Sequence, residues 1–127
     1  MHAKYKAPNS IFGKQTLYSH VLFLTAGTPV QFPSIRMLPG MEACCYVASI
    51  AVAADHIYIA KHPRPRISAN LPGPGAIVFS SPVGTGGNQG PFNLDGDMLS
   101  QYWADADSAA QLVIIVYMNR SRDEQFV

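Results

Sequence analysis

Ala43-Cys44-Cys45-Tyr46-Val47-Ala48-Ser49-Ile50-Ala51-Val52 is the stretch on which the fold turns. It holds ten uncharged residues, rich in β-branched and aromatic side chains. With a period of two, Cys45, Val47, Ser49 and Ala51 share one face, and Cys44, Tyr46, Ala48, Ile50 and Val52 share the other. Both faces are mostly apolar, so the stretch is expected to be a central strand sandwiched between layers. Its alanines make a short helix the competing reading. The apolar run from Ala43 to Ala54 ends at Glu42 and Asp55, well short of the roughly 20 residues that span a bilayer.

The flanking sequence repeats the strand pattern. Leu17 to Leu24 alternates, with Leu17, Ser19, Val21 and Phe23 against Tyr18, His20, Leu22 and Leu24. Val30–Phe32 and Ile35–Met37 are short strand pieces split by Pro33. Leu38-Pro39-Gly40 fits a type II turn, with proline second and glycine third. His56 to Ala60 is a further strand, Arg66 to Ala69 a fragment, and Ala76 to Phe79 another strand. Leu71-Pro72-Gly73-Pro74-Gly75 and the glycine-rich Pro82 to Pro91 read as loops. Phe92–Leu94 and Tyr102–Ala104 are short strands, Asp97 to Tyr102 holds at most a helical turn, and Gln111 to Asn119 closes the domain. About eight short strands between Gly/Pro turns predict one all-β domain: an antiparallel β-sandwich or jelly roll over 16–119. An extended arm over 1–15 precedes it and a charged tail over 120–127 follows.

Charged residues make up only 13% of the 127 residues, against roughly a quarter in a typical soluble domain. Such a surface is expected to be covered in part by partners. Nine basic and eight acidic residues give a net charge of +1, which speaks against a nucleic-acid or membrane-surface binder. Met1-His2-Ala3-Lys4-Tyr5-Lys6 has no apolar signal-peptide core. Cys44 and Cys45 are adjacent, and neighbours on a strand point to opposite faces, so two reduced thiols of a cytoplasmically assembled protein are expected.

The chemical candidates are few. Asp95-Gly96-Asp97 and Asp105-Ala106-Asp107 pair carboxylates as a Ca²⁺ site or a glycosidase would, but no further oxygen ligands follow in series. They are expected to cap turns at strand ends. Gly84 to Gly90 lacks the Gly-Lys-Ser/Thr of a phosphate loop. The histidines are scattered, and no Gly-x-Ser-x-Gly elbow is present. No catalytic, metal or cofactor residue is therefore assigned. Tyr5, Ile11 and Phe12 on the arm, Lys61, Arg64 and Arg66 in the proline-held basic loop, and Trp103 are the candidate partner contacts.

Leu99-Ser100-Gln101-Tyr102-Trp103-Ala104-Asp105-Ala106-Asp107, followed by Leu112-Val113-Ile114-Ile115-Val116-Tyr117, resembles the ending of small tailed-bacteriophage virion proteins. Ala26-Gly27-Thr28-Pro29-Val30 and Asp55 to Ala60 fit the same pattern, and together these segments cover about half the chain. The resemblance implies a non-enzymatic virion β-sandwich without cofactor or small-molecule substrate. Its implied role is a capsid decoration (cement) protein that binds the major capsid protein and copies of itself, often as a homotrimer. A tail or fibre component carrying a receptor-binding module is the alternative, and a small hydrolase built on the Asp pairs is a third. The Pro/Gly-rich segment Pro63 to Pro91 departs from the pattern.

Overall fold

The structure is a computed structural model that describes residues 14–52, 54–80 and 90–119. Ten strands run through it: β1 Lys14–Leu24, β2 Val30–Gln31, β3 Met41–Ile50, β4 His56–Ala60, β5 Arg66–Ser68, β6 Leu71–Pro72, β7 Ile77–Ser80, β8 Phe92–Leu94, β9 Trp103–Ala106 and β10 Ala110–Asn119. One sheet has the order β1-β10-β3-β8, a second β2-β9-β4-β7, and β5 and β6 form a separate hairpin. With that hairpin set aside, the first strand pairs with the last (β1 with β10), and the second with the last but one (β2 with β9). Then β3 pairs with β8, and β4 with β7. Every pair is antiparallel, and the β10–β3 and β9–β4 pairs close the two sheets. This is a long hairpin rolled on itself, the double Greek key of a jelly roll. The expected all-β jelly-roll sandwich is what the chain forms.

Alternation places the core. Leu22 and Leu24 of β1, Ala43, Cys45 and Val47 of β3, and Leu112, Ile114 and Val116 of β10 point inward. They meet Ile57, Ile59, Phe79, Ala104 and Ala106 of the other sheet, with Phe32, Leu99 and Tyr102 closing one end. Phe32 and Tyr102 pack at 5.6 Å between ring centroids.

Several expectations shift. β3 is a strand, not a helix, and central in its sheet. Only its Ala43-Cys45-Val47 face is buried, however; Cys44 and Tyr46 are half-buried and Ala48 exposed. The expected two-sided sandwiching does not hold, because the third layer lies on the other sheet. β1 begins at Lys14, inside the expected arm, since Lys14 and Gln15 pair with Asn119 and Met118. Ile35–Met37 is not a strand: Met37 N–H bonds the Asp97 carbonyl, leaving a single bridge from Arg36 to Met98. Leu71–Pro72, expected as loop, pairs with Arg66 and Ser68. Pro72 is tolerated there because a two-strand hairpin does not need its N–H. The expected strand Tyr102–Ala104 is displaced to Trp103–Ala106, as a 3-10 turn over Leu99–Gln101 takes Tyr102 as its cap. The Leu38-Pro39-Gly40 turn closes as expected, with Gly40 at φ 86° and Met41 N–H bonded to the Leu38 carbonyl at 2.9 Å.

Candidate functional site

The outer face of the β2-β9-β4-β7 sheet carries the densest polar chemistry in the described residues. Register sets Tyr58 beside Asp105 and Ala60 beside Trp103, with His56 next to Asp107 just beyond the strand end. The segment between β4 and β7 folds back over this face. That is why Tyr58, 1% exposed, and Asp105, 2% exposed, are buried although they point away from the core.

Asp107 ties the covering segment down. Its Oδ1 accepts from Arg66 Nε at 2.7 Å and from Asn70 N–H at 3.2 Å, both on the hairpin. Its Oδ2 accepts from the Tyr58 hydroxyl at 2.8 Å and from His56 N–H at 3.2 Å, both on β4. His56 Nδ1 lies 3.5 Å from the same oxygen without making a hydrogen bond in the described structure. Burial works against the Asp107 charge, but the Arg66 and Tyr58 hydrogen bonds and the two N–H groups outweigh it and hold the carboxyl below its ordinary value. For Asp105 burial wins and raises its pKa, although Ala106 N–H and Arg66 pull the other way. Burial, and then the bond to Asp107, pushes the Tyr58 hydroxyl up. Four donors from β4 and the hairpin converge on the one Asp107 carboxylate, so the cluster works as a clasp.

A second polar knot lies at the opposite end of the sandwich. Asp95 accepts from the Tyr102 hydroxyl at 2.6 Å and pairs with Lys61 Nζ at 2.6 Å, while that ammonium sits 5.3 Å from the Tyr102 ring centroid. Burial and the Asp95 bond push the Tyr102 hydroxyl up to about 12. Asp95 is thus committed to Lys61 and Tyr102, as Asp107 is to Arg66 and Tyr58 and Asp105 to Ala106 N–H. Among the described residues no three His, Cys, Asp or Glu side chains converge as metal ligands, and no helix is long and apolar enough to cross a membrane.

The expected partner contacts are therefore dispersed. Arg66 is committed to Asp107 and is 14% exposed, and Lys61 is paired with Asp95. Arg64 stays exposed and lines an apolar groove of about 510 Å³ with His62, Ile67 and Pro74. Trp103 is half-buried on β9, and Tyr5, Ile11 and Phe12 lie outside the described residues. Cys44 and Cys45 are not joined in a disulfide, and burial pushes the Cys45 thiol up to about 12.

No family model, curated protein or solved structure matches this chain.

Sequence reasoning assigned no role to the clasp or to the outer face of the other sheet. On that face Val21, Phe23, Val113, Ile115 and Tyr46 point outward, uncharged, with Phe23 70% exposed. A signal for the clasp was present: His56 and Tyr58 share one strand face, as do Asp105 and Asp107. Alternation carries four polar groups to one side of one sheet.

Proposed function

We propose that this chain is a non-enzymatic bacteriophage virion protein that decorates the capsid, binding the major capsid protein shell and copies of itself. The carrying observation is the asymmetry of the two sheet faces. Among the described residues, the hairpin covers the outer face of one sheet, while the outer face of the other centres on the apolar Val21, Phe23, Val113, Ile115 and Tyr46, with Glu42 as a charge toward one end. A face of that kind suits a protein partner. The double Greek key, frequent among viral capsid domains and also present in lectins and cupins, is compatible with the reading without requiring it. The low charge and the resemblance of Leu99 to Tyr117 point the same way.

The test is co-sedimentation of the full chain with purified empty capsids, alongside Ile115→Lys. Binding by the parent chain and at least a tenfold loss with the variant are expected. Immunogold label on tails, with no capsid binding, overturns the decoration role in favour of a tail component.

A further inference from the structure

We infer that the outer edge of β1 is where a second copy of this chain joins the sheet, the two β1 strands running antiparallel about a two-fold axis near Val21. A sandwich of two four-stranded sheets has four edges, here β1, β8, β2 and β7. Three are blunted. β8 has three residues and follows Pro91, β2 has two residues between Pro29 and Pro33, and β7 has four. β1 has eleven, and among the described residues only β10 pairs with it. Exposed edges invite strand addition unless shortness, proline, charge or a bulge prevents it. β1 has a bulge between Thr16 and Tyr18, but from Tyr18 to Leu24 it is regular and has no proline, lysine, arginine, aspartate or glutamate.

The edge also suits its own copy. A two-fold at Val21 sets Val21 against itself, Ser19 against Phe23, His20 against Leu22 and Tyr18 against Leu24. Large side chains meet small or apolar ones, and no like charges oppose. Inward residues of one copy continue the inward row of the other. Among the described residues, three of the seven exposed large apolar side chains, Leu17, Tyr18 and Phe23, lie on this strand. About 23 Å of strand edge on a sheet roughly 10 Å thick is well under the ~800 Å² per partner of a stable interface, so the isolated pair is weak.

This rests on the self-association part of the reading above and not on its capsid part. Opposed residues of an antiparallel pair lie within disulfide reach, so Val21→Cys in the full chain traps even a weak pair. On mild oxidation Val21→Cys gives at least fivefold more covalent dimer than the parent chain, Ser19→Cys or Phe23→Cys alone, and a Ser19→Cys plus Phe23→Cys mixture recovers it. Phe23→Lys, at an exposed position that leaves the fold intact by circular dichroism, weakens association in sedimentation equilibrium at least tenfold. A parent chain that stays monomeric up to about 1 mM, with no excess crosslinking by Val21→Cys, overturns the inference, as does association that survives Phe23→Lys. A chain that pairs but ignores capsids overturns the decoration reading alone; one that binds capsids as a monomer overturns the pairing alone.

Discussion

Asp107 joins two strands and a hairpin through one carboxylate, so its loss is felt in several places. Asp107→Ala leaves the Arg66 guanidinium, 14% exposed, and the buried Tyr58 hydroxyl without their acceptor. Breaking a buried pair this way costs about 3–5 kcal/mol, and urea denaturation measures it. Acid acts on the same bond. The Asp107 pKa is lower folded than unfolded, so its contribution is complete above the unfolded value of about 3.9 and is lost as pH falls through the lower folded value. The parent chain should lose stability below about pH 4 more steeply than Asp107→Asn does. Asp105 has the opposite sign: burial raises its folded pKa, so its ionisation opposes folding at neutral pH. Asp105→Asn is expected to raise the urea midpoint at pH 7, with the gain vanishing below the unfolded value of about 3.9. An unchanged midpoint at pH 7 would show that Arg66 and the Ala106 N–H fully compensate the buried charge.

The β5–β6 hairpin is the element that sequence reasoning placed least well. His56–Ala60 and Phe92–Leu94 form with the bounds that alternation and their β-branched and aromatic residues indicate. A strand's period is local, so it is legible without knowing the partner. Leu71-Pro72 has no period to read, and becomes a strand only because Arg66 and Ser68 come alongside. Arg66 and Asp107 stand 41 residues apart, and only the roll of the sheets brings them together, so composition could not separate a clasp from a solvated basic loop. Gly73 shows how tightly the element is folded. A Cβ there would run into the Arg64 carbonyl oxygen, while the Gly73 N–H bonds the Pro65 carbonyl at 2.7 Å. Gly73→Ala is expected to destabilise the hairpin by about 1–3 kcal/mol. Limited trypsin digestion reads this locally, through faster cleavage after Lys61 and Arg66. Cleavage as slow as in the parent chain would mean that the turn absorbs the methyl group.

Across the whole molecule, the roll makes the last strand the partner of the first: Lys14 pairs with Asn119 and Leu24 with Ala110. Neither sheet can be completed before nearly the whole chain is placed, because β10 fills the gap between β1 and β3 just as β9 joins β2 to β4. Both inner faces drain into one core, in which Ile114 and Val116 of one sheet and Ile57, Ile59 and Ala104 of the other are all buried. A shared core couples the sheets, so they should unfold together. Trp103, the only tryptophan, lies on β9 and reports the sheet that bears the hairpin, whereas far-UV circular dichroism reports both sheets. The two probes are expected to give one urea midpoint in the parent chain. Refolding followed by Trp103 should fall in the millisecond-to-second range of proteins dominated by distant pairings. In Asp107→Ala the two midpoints should still coincide, at lower urea, because the clasp holds the hairpin and the core holds the sheets to each other. Separate midpoints in the parent chain would mean that the β2-β9-β4-β7 sheet melts on its own, and the single-core account of the roll would fail.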